Sequence, residues 1–99
     1  MDVQNPLFRN CTSIRSIHDG LQRFYHFPNG IGASVVRHSG SYGGTQNLYE
    51  LAVITYEDNV FDDKFYDIKS IPSITGIDDV SGWLTESGVE VLLEKIKAI

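Results

Sequence analysis

The C-terminal segment of the chain carries its clearest periodic pattern. Thr85 is a favourable N-cap residue, Glu86 follows it in the first turn and Lys97 lies near the end, which suits the dipole of a helix. Apolar residues recur with the spacing of one helical face, at Val89, Leu92, Leu93 and Ile96. A short helix of this kind is stable only when its apolar face is buried, so the rest of the chain must supply a second layer.

The residues before this helix form short runs rich in aromatic and β-branched side chains, which are typical of β-strands. The runs cover 21–27, 31–38, 48–56 and 65–68. Pro28, Asn29 and Gly30 separate the first two runs and predict a hairpin turn. The third run has apolar residues at both odd and even positions, which predicts a central strand covered on both faces.

Strands followed by a helix, with short connections, predict an α+β fold. We expect an antiparallel meander of about four strands with the C-terminal amphipathic helix packed on one face. Residues 21–99 are predicted to form a single domain, because about 100 residues is a usual domain size. Residues 1–20 have no clear period and are predicted to form an N-terminal arm or a short helix. A short helical turn is expected from Asp78 to Leu84.

The charges of the chain are unevenly divided. Every arginine lies in the first half, whereas every lysine and most carboxylates lie in the second half. This division predicts one mildly basic and one acidic surface, and either surface could face a partner. The formal net charge of −5 at pH 7 disfavours attraction to a phosphate backbone, so a nucleic-acid partner is not expected.

The composition also restricts the compartment and the chemistry. No apolar run is long enough to cross a bilayer, and the first residues are neither basic nor apolar as in a signal peptide. The single cysteine, Cys11, cannot form an internal disulfide, whereas small secreted domains usually depend on such bonds. We therefore expect a cytoplasmic protein. Cys11 and the histidines lack a spacing that indicates a catalytic pair or a metal site, so we expect no enzyme, cofactor or metal.

A glycine-rich loop between the second and third strand runs is the first candidate site. Backbone amides of 41–45 could hold an anion, Arg37 could supply positive charge and Tyr42 could stack on a ring. The candidate residues for this small-molecule or nucleotide site are Arg37, His38, Ser41, Tyr42, Gly43 and Gly44. The loop lacks the spacing of a phosphate-binding loop, and a plain connection between strands is the alternative interpretation.

An acidic segment after the third strand run is the second candidate site. Its carboxylates are Glu57, Asp58, Asp62, Asp63 and Asp67. Their spacing is not that of a calcium-binding loop. They are interpreted either as an acidic face that docks on a basic partner protein, or as a solvated hairpin edge that resists strand addition.

Three blocks of the chain resemble a group of short bacteriophage and prophage proteins. The blocks are FPNGIGASVV at 27–36, SYGG at 41–44 and LYELAV at 48–53, and the ending WLTE at 83–86 with LLEKI at 92–96 is also similar to that group. No activity is established for the group, so the resemblance implies a phage accessory protein without implying a mechanism. Small phage proteins of this kind commonly bind host proteins, defence components or signalling nucleotides.

The sequence therefore predicts a non-enzymatic, phage-type accessory protein that binds and modulates a host macromolecule. A host protein is the favoured partner, in a counter-defence or host-takeover role. The alternative is a small-molecule or nucleotide-binding domain that holds an anionic ligand with the loop at 39–45. The many aromatic residues also allow a homodimer formed through an edge strand or an aromatic face. The expected location is the cytoplasm of an infected or lysogenic bacterium.

Overall fold

An antiparallel sheet with a C-terminal helix packed against it forms the fold, which is therefore of the predicted α+β class. The computed structural model describes residues 6–76 and 78–99. The strands are β1 (Ser13–Ile17), β2 (Gly20–His26), β3 (Ile31–Arg37), β4 (Tyr49–Thr55), β5 (Asp67–Ile68) and β6 (Val80–Leu84). The α-helices are α1 (Pro72–Thr75) and α2 (Glu86–Lys97), and 3₁₀ turns occur at Leu7–Arg9, Gly44–Gln46 and Glu57–Asn59. Among the described residues, no helix has the length and apolar character needed to cross a membrane.

The sheet follows the chain as a meander from β1 to β5, and β6 returns to pair with β4. Strand β3 pairs with one side of β4. The other side of β4 is shared by β5 and β6. β5 pairs with the end of β4 and β6 pairs with its beginning. β3 and β4 are therefore the central strands of the sheet.

Two strands come from segments for which the sequence predicted other structures. Ser13–Ile17, inside the predicted N-terminal arm, is strand β1 and pairs with β2 over its whole length. Val80–Leu84, inside the predicted helical turn, is strand β6. Both segments have weak local patterns, and pairing with a neighbouring strand satisfies their backbone hydrogen bonds. The sheet thus has more strands than predicted, and residues 1–5 of the predicted arm lie outside the described residues.

The central strands are buried on both faces, as the apolar residues at both parities of 48–56 predicted. Alternate residues of β2, β3 and β4 point toward α2, and the remaining residues point to the opposite face. The buried residues of these strands on the helix face are Tyr25, Ala33, Val35, Leu51 and Val53. Those of the core on the opposite face are Phe24, Ala52, Ile54 and Tyr56. The position of a residue along its strand therefore decides which core its side chain enters.

Helix α2 closes one core and also holds the N-terminal segment. The Thr85 Oγ1 accepts a hydrogen bond from the Gly88 amide at 3.1 Å, which confirms the predicted N-cap. The Glu90 carboxylate accepts hydrogen bonds from the amides of Leu7 and Phe8. These charge-assisted bonds anchor the segment before β1 to the helix, and they place the Phe8 ring in the core.

The packing of α2 predicts the effect of truncating its buried face. Leu93→Ala should lower the free energy of unfolding by about 2–5 kcal/mol, because Leu93 is fully buried and its truncation leaves a cavity. The matched control is Val91→Ala on the same helix, whose exposed side chain should change that free energy by less than about 0.5 kcal/mol. Urea unfolding followed by circular dichroism measures both variants. Equal stabilities of the two variants would contradict this packing.

Candidate functional site

A cleft of about 330 Å³ lies at one end of the sheet, between the β1–β2 turn and the loop that follows β3. The two connections meet because of the antiparallel pairing. The last residues of β1 and β3 lie at the same end of the sheet as the first residues of β2 and β4. The lining residues are Asp19, Gly20, Leu21, Arg23, Val35, Arg37, His38, Ser39, Gly44, Thr45, Asn47 and Tyr49. We call this the arginine cleft, after Arg23 and Arg37.

The register of β2 and β3 brings the two arginines together. Arg23 pairs with Val35, and Arg37 pairs with Leu21. The arginines are therefore diagonal neighbours on one face of the sheet, and their Cα atoms are expected about 7–8 Å apart. Val35 belongs to the core under α2 and also lines the cleft. The hydrophobic core thus extends to the wall of the cleft, beside Arg23 and Arg37.

Each guanidinium group rests on an aromatic ring. The Cζ atom of Arg23 lies 4.6 Å from the centroid of the Phe8 ring, and that of Arg37 lies 4.9 Å from the centroid of the Tyr49 ring. The Phe8 and Tyr49 rings contact each other edge to face, with centroids 5.2 Å apart. A guanidinium held over a ring by a cation–π contact keeps N–H donors that can bind an oxygen. The aromatic pair therefore holds two anion-binding groups in fixed positions.

Neither arginine of the cleft forms a close ion pair with a described residue. Within residues 6–76 and 78–99, the ion pair closer than 4.0 Å is that of Arg9 with Glu86, so neither arginine of the cleft has a carboxylate partner there. Arg23 Nη1 lies 3.9 Å from Cys11 Sγ, but a thiol sulfur is a weak acceptor. The cleft therefore retains positive charge, and an anion could satisfy its guanidinium donors.

Asp19 is the carboxylate that lines the arginine cleft, and it joins the two connections. Its Oδ1 accepts a hydrogen bond from the Ser39 amide at 2.9 Å. Hydrogen bonds from Ser39 lower the pKa of the Asp19 carboxyl below its ordinary value. Asp19 thus fastens the β1–β2 turn to the loop that forms the opposite wall.

Three amides of the glycine-rich loop already have hydrogen-bond acceptors within the chain. The amide of Ser41 donates to the carbonyl of His38, and the amide of Gly44 donates to the carbonyl of Ser41, both at 3.0 Å. The amide of Tyr42 donates to the Glu50 carboxylate at 2.9 Å. These three amides are therefore used within the fold, as is usual for a structured connection. The positive charge of the cleft comes from arginine side chains.

Three of the six residues predicted for the ligand site line the arginine cleft, namely Arg37, His38 and Gly44. His38 Nδ1 accepts a hydrogen bond from the Gly40 amide at 3.0 Å, which fixes its ring. Ser41 is used within the loop, because its hydroxyl accepts from the His38 amide at 3.0 Å and donates to the His38 carbonyl at 2.8 Å. Ser41 therefore shapes the loop and does not line the cleft.

The other two predicted residues, Tyr42 and Gly43, contact strand β6 instead. Gly43 has a φ of 89°, and a side chain at this position would lie 2.9 Å from the Cα of Trp83. The Tyr42 ring stacks on the Trp83 ring, with centroids 5.3 Å apart. The loop thus separates the six residues into one group at the cleft and one group outside it.

Sequence reasoning missed Arg23, Asp19 and the two supporting rings. A signal for Arg23 was present, because it has the same parity as Tyr25 and Phe27 and therefore points to the helix face of its strand. The support of Arg23 by Phe8 had no such signal, because the two residues lie in different elements and meet only in the folded chain.

The acidic segment lies along the turn before β5 and in β5 itself. Glu57, Asp58 and Asp67 are exposed, whereas Asp62 and Asp63 are half-buried. Asp62 Oδ1 accepts hydrogen bonds from the amides of Lys64 and Phe65, which closes a turn. The large apolar residues Val60, Phe65 and Ile68 are exposed among these carboxylates. Among the described residues, no group of three or more His, Cys, Asp or Glu side chains is placed to hold a metal ion.

Comparisons of the chain with protein-family models, with curated proteins and with solved structures find no match. The geometry of two surfaces that the fold assembles therefore indicates what the protein could bind. These are the arginine cleft and the acidic segment with its exposed apolar residues.

The lowered pKa of Asp19 predicts a pH-dependent contribution to stability. A carboxyl whose pKa is lower in the folded chain stabilises the fold above its unfolded pKa, and this contribution is lost as the pH falls through the folded pKa. Wild type should therefore be more stable than Asp19→Asn near neutral pH, and the difference should vanish in acid. Thermal unfolding of both proteins between neutral pH and acid measures the difference, and the Ser39 amide resonance reports the titration. A difference that does not change with pH would contradict the role of the Asp19 charge.

Proposed function

We propose that the protein is a non-enzymatic binding protein that holds a small anionic molecule in the arginine cleft. The observation that carries the proposal is the pair of guanidinium groups, Arg23 and Arg37. Each lies over an aromatic ring, and neither is paired with a carboxylate among the described residues. Positioned arginines bind phosphate and carboxylate groups through paired N–H donors. Aromatic support reduces the conformational freedom that each side chain would lose on binding.

The size and lining of the cleft favour a phosphate-bearing or carboxylate-bearing small molecule. Its volume of about 330 Å³ is at the lower end of the range of about 300–1,000 Å³ that is usual for small-molecule sites. The two arginines would bind the anionic group, while Asp19 offers a hydrogen-bond acceptor to a ligand hydroxyl or amine. A nucleotide meets these requirements, as the loop at 39–45 suggested.

The contacts of Cys11 and His38, which could be catalytic groups, also support a binding role. Cys11 Sγ lies against the guanidinium of Arg23, and His38 Nδ1 accepts the Gly40 amide. These contacts engage both groups and favour a binding role over a nucleophile paired with a base. The resemblance of three sequence blocks to phage proteins supports the further proposal of an accessory protein that acts in the cytoplasm of a bacterial host.

Thermal shift and calorimetry with a panel of anions test this proposal. The panel contains inorganic phosphate, pyrophosphate, citrate and nucleoside mono-, di- and triphosphates, which separates a simple anion from a nucleotide. A ligand at 100 times its Kd should stabilise wild type by about 2.7 kcal/mol. Arg23→Gln and Arg37→Gln should each weaken binding about tenfold or more, because each removes a charge-assisted hydrogen bond.

The matched control is Arg9→Gln, which removes the same charge from a side chain that is 70% exposed and outside the cleft. Binding to Arg9→Gln should equal binding to wild type at physiological salt. The proposal fails if no member of the panel stabilises the protein. It also fails if Arg9→Gln weakens binding as much as the two cleft variants do, because the attraction would then be unspecific.

A protein partner is the second candidate, and the exposed apolar residues of the acidic segment favour it. Val60, Phe65 and Ile68 are 65%, 73% and 55% exposed. Large apolar residues exposed among charged ones are typical of a protein-binding surface. Carboxylates beside it would select a basic partner, such as a host protein. This arrangement is the basis for the proposed docking of a host protein.

Substitution of the most exposed of these residues tests the second candidate. Phe65→Ser should abolish retention of a host protein on the immobilised chain, because aromatic residues dominate such interfaces. The fold should be unaffected, since the side chain is 73% exposed. Arg37→Gln is the control, because it alters the arginine cleft and leaves the acidic segment intact. A partner that wild type and Phe65→Ser retain equally would exclude this surface.

A further inference from the structure

A groove of about 470 Å³ lies outside the arginine cleft, where the loop after β3 contacts β6. Its lining residues are Tyr42, Asp78, Asp79, Val80, Gly82 and Trp83, and we call it the tryptophan groove. The rings of Tyr42 and Trp83 stack with an interplanar angle of 23°, and these residues are 56% and 57% exposed. An exposed tryptophan beside an exposed tyrosine is costly in water and is characteristic of a binding surface.

The position of Trp83 results from a β-bulge. Tyr49 pairs with Leu84 and Leu51 pairs with Ser81, so β6 has one more residue than β4 over this stretch. Trp83 has a φ of 52°, in the left-handed region that bulky residues rarely adopt. Bulges redirect side chains, often beside functional sites. The bulge brings the Trp83 ring onto Tyr42, whose carbonyl accepts the Trp83 amide at 3.3 Å.

The charge of the tryptophan groove is opposite to that of the arginine cleft. Asp78 and Asp79 are exposed and line the groove with Trp83. Among residues 6–76 and 78–99, no Lys, Arg or His side chain forms an ion pair with either carboxylate. Carboxylates beside the face of an indole ring favour a cation, because the ring face and the carboxylates are both negative.

We propose that the tryptophan groove binds an arginine side chain presented by a partner protein. A guanidinium is planar, so it can stack on the outer face of Trp83 while its N–H donors reach Asp78 or Asp79. A lysine ammonium lacks this plane and is more strongly hydrated, so it fits the groove less well. This site is independent of anion binding in the arginine cleft, and of the acidic segment around Phe65.

Trp83 is the single tryptophan of the chain, so its fluorescence reports directly on the groove. Three peptides of one sequence, carrying arginine, lysine or citrulline at a central position, are titrated into the full-length protein. The arginine peptide should change the emission of Trp83 in a saturable manner. The lysine peptide should bind roughly fivefold more weakly, and the citrulline peptide should show no saturable binding, because citrulline keeps the shape of arginine and lacks its charge.

Calorimetry with variants locates the binding site. Tyr42→Ala and the pair Asp78→Asn with Asp79→Asn should each weaken binding of the arginine peptide roughly fivefold. The matched control is the pair Asp62→Asn with Asp63→Asn, which removes the same charge from the acidic segment and should leave the affinity unchanged.

Several results would overturn the proposal. Equal affinity for the arginine and lysine peptides would indicate unspecific charge attraction. Loss of binding in the Asp62→Asn, Asp63→Asn control alone would place the peptide on the acidic segment. A change in Trp83 emission with protein concentration, in the absence of peptide, would mean that a second copy of the chain covers the groove.

Discussion

Burial of β3 and β4 on both faces is the constraint on which the rest of the structure depends. Because successive residues of a strand point to opposite faces, a shift of one residue would exchange the two cores. The register that keeps Val35, Leu51 and Val53 under α2 is therefore strongly determined. The same register places Arg37 and Tyr49 at the end of that face, so the position of the arginine cleft follows from the packing of the core.

The arginine cleft also depends on a contact between the two ends of the chain. The Phe8 ring lies under the guanidinium of Arg23. The Phe8 amide donates a hydrogen bond to the Glu90 carboxylate in the C-terminal helix. The Tyr25 hydroxyl donates to the Phe8 carbonyl at 2.7 Å, which ties the same residue to the sheet. The bond to the Glu90 carboxylate is charge-assisted, and such bonds are strong where solvent is partly excluded. The arginine cleft and the stability of the N-terminal segment are consequently coupled.

The loop after β3 lines the arginine cleft on one side and packs against β6 on the other. His38 and Gly44 face the arginine cleft, whereas Tyr42 and Gly43 pack against β6. Arg23 and Arg37 lie on one side of this loop, and Asp78 and Asp79 lie beyond the other side. A single short connection thus borders two surfaces of opposite charge, which suit ligands of opposite sign.

The sequence by itself determined the elements whose residues repeat with a regular period, namely α2 and the strands β2, β3 and β4. It also marked Arg37 and His38, because both stand at the boundary between a strand and a glycine-rich loop. Only the tertiary structure decided that 13–17 and 80–84 join the sheet, since edge strands gain their hydrogen bonds from a partner rather than from a local pattern. It also decided that Arg23 rests on Phe8 and that Tyr42 stacks on Trp83. Periodicity reports which side of an element is buried, whereas contacts between distant residues depend on register and packing, which no single segment encodes.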